Sequence, residues 1–284
     1  MAERYSLAKI SNELGVSKAT VSLALSGKAR GVGVSEELER RILDFCRMID
    51  YRPNIHARRI NSKLVKNIGI FLERMEEGAT AEILSEIIML FGRKGYRCSI
   101  QLHLPDQTAE NAFEWLLNRE VDGVIMHGIT LPDSWRERIA RESWPIVGIG
   151  TMPGCGIPVV NANDFEATFQ LTKALIANGY REFHFMAGAQ ESYPSRERER
   201  GFRAAYEEAG FSAVDARIHP ADFHPSCADH IAAELLENGK LLPGTAVVCA
   251  SDGMAVGVLS AMRRKGFKAP RDFAVTGVNA SESA

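Results

Sequence analysis

Over 284 residues the chain has no apolar run of the length that crosses a bilayer. Arg, Glu, Asp or Gly interrupts each one well short of the roughly 18 to 20 residues required. That excludes a helical membrane span. The first residues, Met-Ala-Glu-Arg-Tyr-Ser, lack the apolar core of an export signal. Cysteine is sparse and scattered: five residues, at 46, 98, 155, 227 and 249, odd in number and without a CxxC pair. Such usage fits a reducing compartment better than a disulfide framework, so the cytoplasm is the expected location. The enzyme signatures are missing too. There is no GxxxxGK[ST] phosphate loop, no GxGxxG after a strand, no GxSxG elbow and no HExxH, and no enzymatic activity is expected.

Net charge is also nearly absent, at −2, but the balance hides a segregation. Residues 1–66 hold 13 Lys+Arg against 7 Asp+Glu, net +6, whereas the remaining 218 hold 21 against 29, net −8. A basic head on an acidic body suggests that the head meets a polyanion, although chance segregation of solvated charge gives the same count.

Within the head, Ser6 is placed to cap a helix whose Leu7, Ile10 and Leu14 recur at spacings of three and four, and Gly15 to end it. Ser17 then caps a second helix, Lys18 to Leu25, with Val21 and Leu25 on one face. Only about three residues join the two, the geometry of a helix-turn-helix. Lys18, Ala19, Ser22 and Leu23 point away from the Val21/Leu25 face, where they can reach base edges, while Ser17 and Thr20 offer hydroxyls and amides to phosphate. A third helix starting at Ser35 brings Leu38, Ile42, Phe45 and Ile49 over the first two. Three such helices serve protein contacts as well as DNA, and both readings stay open on this pattern alone.

The segment that follows, Tyr51-Arg-Pro-Asn-Ile-His-Ala-Arg-Arg-Ile-Asn61, reads as a hinge over 51–66. Pro53 stops the third helix, and Asn54 is placed to cap a short new one to about Ile60. A helix this short is marginal alone and is expected to order on binding. Arg52, Arg58 and Arg59 would then follow a phosphate backbone, with Ile60 as an apolar wedge for the minor groove. A plain basic linker is the alternative.

From Asn67 onward short β-branched runs alternate with helical stretches, the rhythm of βαβ units and a parallel sheet. Strands are expected at Ile68–Leu72, Cys98–Leu102, Val121–Met126, Pro145–Ile149, Phe183–Met186, Ala246–Ala250 and Phe273–Val278. Four helices are expected to stop at a glycine followed by an aromatic: Gly95-Tyr96, Gly179-Tyr180, Gly210-Phe211 and Gly266-Phe267. His224, Cys227 and His230, with His219 nearby, hold soft ligand types. Pro225 and Ser226 read instead as a loop entering a helix, and no metal site is expected.

The order of motifs is specific. Gly15-Val-Ser17, then Lys18-Ala-Thr-Val-Ser22, then Val34-Ser-Glu-Glu37 and Tyr51-Arg-Pro-Asn54 resembles the lactose/galactose-repressor (LacI-type) family of bacterial transcription regulators. The resemblance implies an α/β chain: an all-α three-helix helix-turn-helix head over 1–50, a hinge, and over 67–284 a two-lobed, parallel-sheet sensor like a periplasmic binding protein. It further implies a recognition helix in the major groove and paired hinge helices in the minor groove. Leu23 stands where the family often has Arg, and Ile60 where it usually has Leu.

The likeness continues into the sensor. Ser195-Arg-Glu-Arg198-Glu-Arg-Gly-Phe202 matches S-x-x-R-x-x-G-F and carries the family's effector-anchoring arginine onto Arg198. Asp222-Phe223 matches a pair whose ring flanks the effector, and Ser251-Asp252-Gly-Met-Ala-Val-Gly257 matches N-D-x-x-A-x-G. Elsewhere the pattern is broken. V-D-N becomes Ala162-Asn163-Asp164, G-F-D-D becomes Gly277-Val278-Asn279-Ala280, and an aromatic pair becomes Ala79-Thr80. Two carboxylates thus read as the amides Asn163 and Asn279, and a ligand richer in acceptors or negative charge than a neutral sugar is expected.

The function so implied is a sequence-specific DNA-binding regulator, a repressor, that binds operator DNA as a homodimer and answers to a small sugar or sugar-derived effector without a cofactor. Relatives run about 50 residues further, so the sensor is expected to be C-terminally incomplete. The alternatives are an effector-unresponsive regulator and a small-molecule-binding α/β protein with an accessory helical head.

Overall fold

A computed structural model describes residues 6–49, 51, 64–73, 78–102, 118, 120–129, 133–154, 156–212 and 217–281. The chain divides into two compact units, Met1–Val65 and Lys66–Ala284.

In the first unit, α1 (Leu7–Leu14), α2 (Lys18–Leu25) and α3 (Glu36–Met48) pack around Ile10, Leu14, Val21, Ala24, Ile42 and Cys46. Local chemistry sets each boundary. Ser6, Ser17 and Ser35 each accept a hydrogen bond from the backbone N–H three residues on, satisfying donors that the first helical turn leaves open. Gly15 takes φ 67° to end α1, and Val16 N–H donates back to Ser11 O. The small seam residue Ala24 shares the buried face with Val21, whereas Leu25 is only half-buried. The hinge residues Arg52, Asn54, Arg58, Arg59 and Ile60 lie outside the described residues.

The second unit holds two parallel sheets. The first, in order β2-β1-β3-β4-β5, is built from β1 (Asn67–Leu72), β2 (Arg97–Leu102), β3 (Gly123–His127), β4 (Ile146–Ile149) and β5 (Val159–Val160). The second runs β7-β6-β8-β9, from β6 (Phe183–Ala187), β7 (Arg217–Pro220), β8 (Ala246–Cys249) and β9 (Ala274–Thr276). Strand β1 is buried throughout, as a central parallel strand must be. Ile70 and Leu72 meet Leu84 of α4 (Gly78–Arg93), and Phe71 clusters with Trp135 and Ile139 of α5 (Asp133–Glu142). The second sheet packs a larger core in which Phe183 meets Phe202 and Tyr206 edge to face and Phe185 stacks on Phe202. Its helices are α6 (Asp164–Ala177), α7 (Tyr193–Glu208), α8 (Pro225–Glu237) and α9 (Asp252–Arg264).

All four glycine-aromatic stops form. The glycines take φ between 76° and 92°, and Tyr96, Tyr180, Phe211 and Phe267 each donate their N–H to a carbonyl five residues back. Two strands were not expected from sequence: β5 has only two residues, and β7, Arg-Ile-His-Pro, is a partly exposed edge. The strand expected from Val121 begins instead at Gly123, because the Asp122 carboxylate accepts the N–H groups of Lys66 and Asn67.

Candidate functional site

Open parallel sheets gather loops at the carboxyl ends of their strands, where successive connections diverge to opposite faces. Here those ends from both sheets border one cleft of about 180 Å³. Glu73 follows β1, His127 ends β3, and Ile149 and Gly150 close β4. Ala189 follows β6, Phe223 follows β7 and Asn279 follows β9, while α7 contributes Pro194 and Arg198.

Arg198 ties the cleft together. It is 7% exposed, and its guanidinium is already engaged on three sides. Nε donates to Asp164 Oδ1 at 2.8 Å, Nη1 to the Ala250 carbonyl, and Nη2 to Asn279 Oδ1 at 3.2 Å. Five donors sit on that planar group, so it can hold this frame and still offer an N–H to a guest. The flanking Arg196 and Arg200 are exposed, as a solvated helix face requires.

Backbone strain concentrates at the same place. Among the described residues, six non-glycines have φ in the left-handed region, and four of them are Asp222 and Phe223 (53° and 60°) and Asn279 and Ala280 (111° and 52°). Such conformations cost about 1–3 kcal/mol each and mark sites whose geometry is held by their surroundings. The Phe223 ring lies directly on Gly188, where a Cβ would stand 2.2 Å from Cζ. Burial pushes the His127 imidazole below its ordinary value, which keeps it neutral near pH 7.

Of the residues singled out for an effector, Thr80, Arg198, Phe223 and Asn279 line the cleft. Asn163 and Asp252 are not among its lining residues. The Asn163 amide oxygen caps α6 by accepting from Glu166 N–H, and the carboxylate expected to be lost there is supplied one residue on, by buried Asp164. Asp252 is buried at the start of α9 and accepts from Ser281 N–H. Glu73, His127 and Gly188 directly follow Leu72, Met126 and Ala187, the strand ends whose loops the parallel-sheet rule marks for a ligand, although the sequence did not single out these residues themselves. His219 pairs with His184 (Nε2 to Nδ1, 2.8 Å) in stacked rings, away from His224 and Cys227, which lie at the start of α8. Among the described residues no three metal-ligating side chains come together.

In the first unit, Ser17, Lys18, Ala19 and Ser22 are exposed on α2, with Thr20 and Leu23 half-buried beside them. Ser17 Oγ accepts from Thr20 N–H at 3.0 Å and lies 2.9 Å from Thr20 Oγ1. The Ser17 cap thereby satisfies one of the open donors at the amino end of α2, which presents a cation and further donors.

Residues 172–284 match the family model described as a periplasmic binding protein-like domain. The HTH-type transcriptional repressor PurR of Haemophilus influenzae is 28% identical over 265 residues, covering 93% of this chain and 77% of the relative. The lac repressor dimer bound to operator and the anti-inducer ONPF superposes with a TM-score of 0.83 at 21% identity, over 99% of this chain and 84% of that one. The complex of the transcriptional regulator CelR with cellobiose superposes with a TM-score of 0.66 at 23% identity, over 99% and 84%. These relatives are named as regulators and not as enzymes. With its helix-turn-helix head, its two parallel sheets and its likeness to repressors along nearly its whole length, the chain is similar to regulators of the LacI/GalR family.

Proposed function

We propose that the chain is a cytoplasmic, sequence-specific DNA-binding repressor whose hold on operator DNA is set by a small neutral, hydroxyl-rich effector in the cleft. The exposed end of α2 reads the major groove through Lys18, Ala19, Ser22 and Leu23, with Ser17 and Thr20 on phosphate. The hinge residues Arg52, Asn54, Arg58, Arg59 and Ile60 extend the contact to the minor groove.

One observation carries the choice of effector: Arg198 is neutralised by Asp164 inside the cleft. The negatively charged ligand suggested by the sequence would find no uncompensated cation among the described lining residues. Neutral hydroxyls suit the site better, because they donate to Glu73, Asp164 and Asn279 and accept from Arg198. Phe223 and the aliphatic wall of Ile83, Ile149 and Val160 fit the apolar face of a sugar ring.

A two-fold dimer accounts for the exposed apolar run Ile88, Met89 and Leu90 on α4 (41%, 45% and 52% exposed). The test pairs a gel shift on the region upstream of the chain's own gene with calorimetric titration of neutral sugars, sugar phosphates and sugar acids. Operator binding that weakens on Lys18→Ala and with added salt supports the DNA reading. Neutral-sugar binding lost on Arg198→Ala supports the effector reading, and binding confined to acids or phosphates refutes it.

A further inference from the structure

We propose that Asp252 is a positioning residue: it holds the strained turn Val278–Ser281 in the one shape that delivers Asn279 to Arg198 and the cleft. This rests on the cleft being the effector site. Asp252 is 5% exposed, and it grips the turn at both ends. Its backbone N–H donates to the Val278 carbonyl at 3.1 Å, and its Oδ2 accepts the Ser281 N–H at 2.7 Å. Between those bonds lie Asn279 at φ 111° and Ala280 at φ 52°.

Left alone, such a turn relaxes toward negative φ, so its surroundings must hold it. A buried carboxylate accepting a backbone N–H is one of the stronger neutral-to-charged hydrogen bonds available for the task. The approach is close as well: a Cβ on Gly277 would stand 2.3 Å from Asp252 Oδ1 and 2.8 Å from its Cα. Only glycine lets the strand end pass this near. The product of the arrangement is the Asn279 Oδ1 acceptor 3.2 Å from Arg198 Nη2. Asp252 therefore acts on the ligand through Asn279 without touching it.

An acidic residue in the first turn of a helix also complements the helix dipole, and the two roles separate by substitution. Asp252→Asn removes the charge but keeps an oxygen that can accept from Ser281. Asp252→Ala removes both. Gly277→Ala keeps the carboxylate but drives the strand end away from it.

In hydrogen-exchange mass spectrometry of the full chain, Asp252→Ala and Gly277→Ala are expected to speed exchange at residues 278–281 by roughly tenfold or more. Asp252→Asn, which keeps an acceptor for Ser281 but loses the charge, is expected to speed exchange clearly less than Asp252→Ala does. If Asp252→Ala leaves that segment's exchange unchanged, or if Asn behaves as Ala does, the positioning role is overturned. Titration with cellobiose, D-galactose and D-ribose distinguishes this failure from that of the cleft. For a sugar that binds, loss on Arg198→Ala with wild-type affinity on Asp252→Ala overturns positioning alone. Unchanged affinity in both variants overturns the cleft as the effector site.

Discussion

Gly201 sets how closely α6 and α7 approach. A Cβ there would lie 2.2 Å from the Phe165 carbonyl oxygen and 3.0 Å from Phe169 N, against an ordinary contact of 3.4 Å or more. Both neighbours are backbone, so Gly201→Ala requires the helices to part by about 1 Å. Overpacking of this kind costs about 1–3 kcal/mol. Arg198 lies three residues earlier on the same face of α7, and its 2.8 Å bond to Asp164 crosses to α6. Parting the helices by that distance takes the bond beyond hydrogen-bond reach. For a unit of this size the melting temperature is expected to fall by on the order of 5–10 °C. Gly92 is the control: it is helical, nothing lies within 4 Å of its would-be Cβ, and Gly92→Ala is expected to be stabilising by about 0.5–1 kcal/mol. Scanning calorimetry of both variants, with sugar titration of each, makes the comparison. If Gly201→Ala melts at or above wild type and titrates normally, the account of the helix contact and of its hold on Arg198 is wrong.

Ser17→Ala removes the α2 cap and is expected to cost about 1 kcal/mol of head stability and to weaken operator binding; equal chemical melts for the two proteins would contradict it. Lys18→Ala is expected to lower the salt slope of operator binding by about 1, as measured by gel shifts at several ionic strengths. His184 titrates at about 4, pushed down by burial, His219 and Arg217. The unfolded chain therefore takes up a proton, between about pH 6.5 and 4, that the folded chain refuses. Stability from this group is complete above that window and falls through it as pH drops, by up to about 1.4 kcal/mol per pH unit. Urea melts of His184→Gln between pH 7 and 5 should show a shallower slope than wild type, and identical slopes would refute the assignment. Gly188→Ala is expected to displace the Phe223 ring, since all three nearest ring atoms lie within 2.5 Å of the added carbon; a sugar affinity within twofold of wild type would show that the ring is not a contact.

What the sequence revealed in advance was what neighbours along the chain decide. The serine caps, the Gly15 turn and the glycine-aromatic stops are set by residues three to five apart, and all of them form. Strand β7 escaped because Arg-Ile-His-Pro has neither alternation nor a β-branched run; pairing of His184 with Arg217 and of Met186 with His219 creates it. The site divides along the same line. Arg198 and Phe223 belong to extended motifs that match the family, whereas Glu73, His127 and Gly188 acquire their meaning only when separate strand ends meet. Asn163 and Asp164 show the limit most clearly. Which of two adjacent residues caps the helix and which turns inward is decided by the φ and ψ of one residue, and no spacing rule reaches that far.

The two left-handed pairs at the cleft, Asp222-Phe223 and Asn279-Ala280, put the fold and its purpose in competition. Glycine at any of the four would relieve the backbone, but at 223 it would delete the ring and at 279 the amide. Selection for robustness alone would erode these turns first. Their survival in a functional chain would therefore be a running record that something still has to be recognised there.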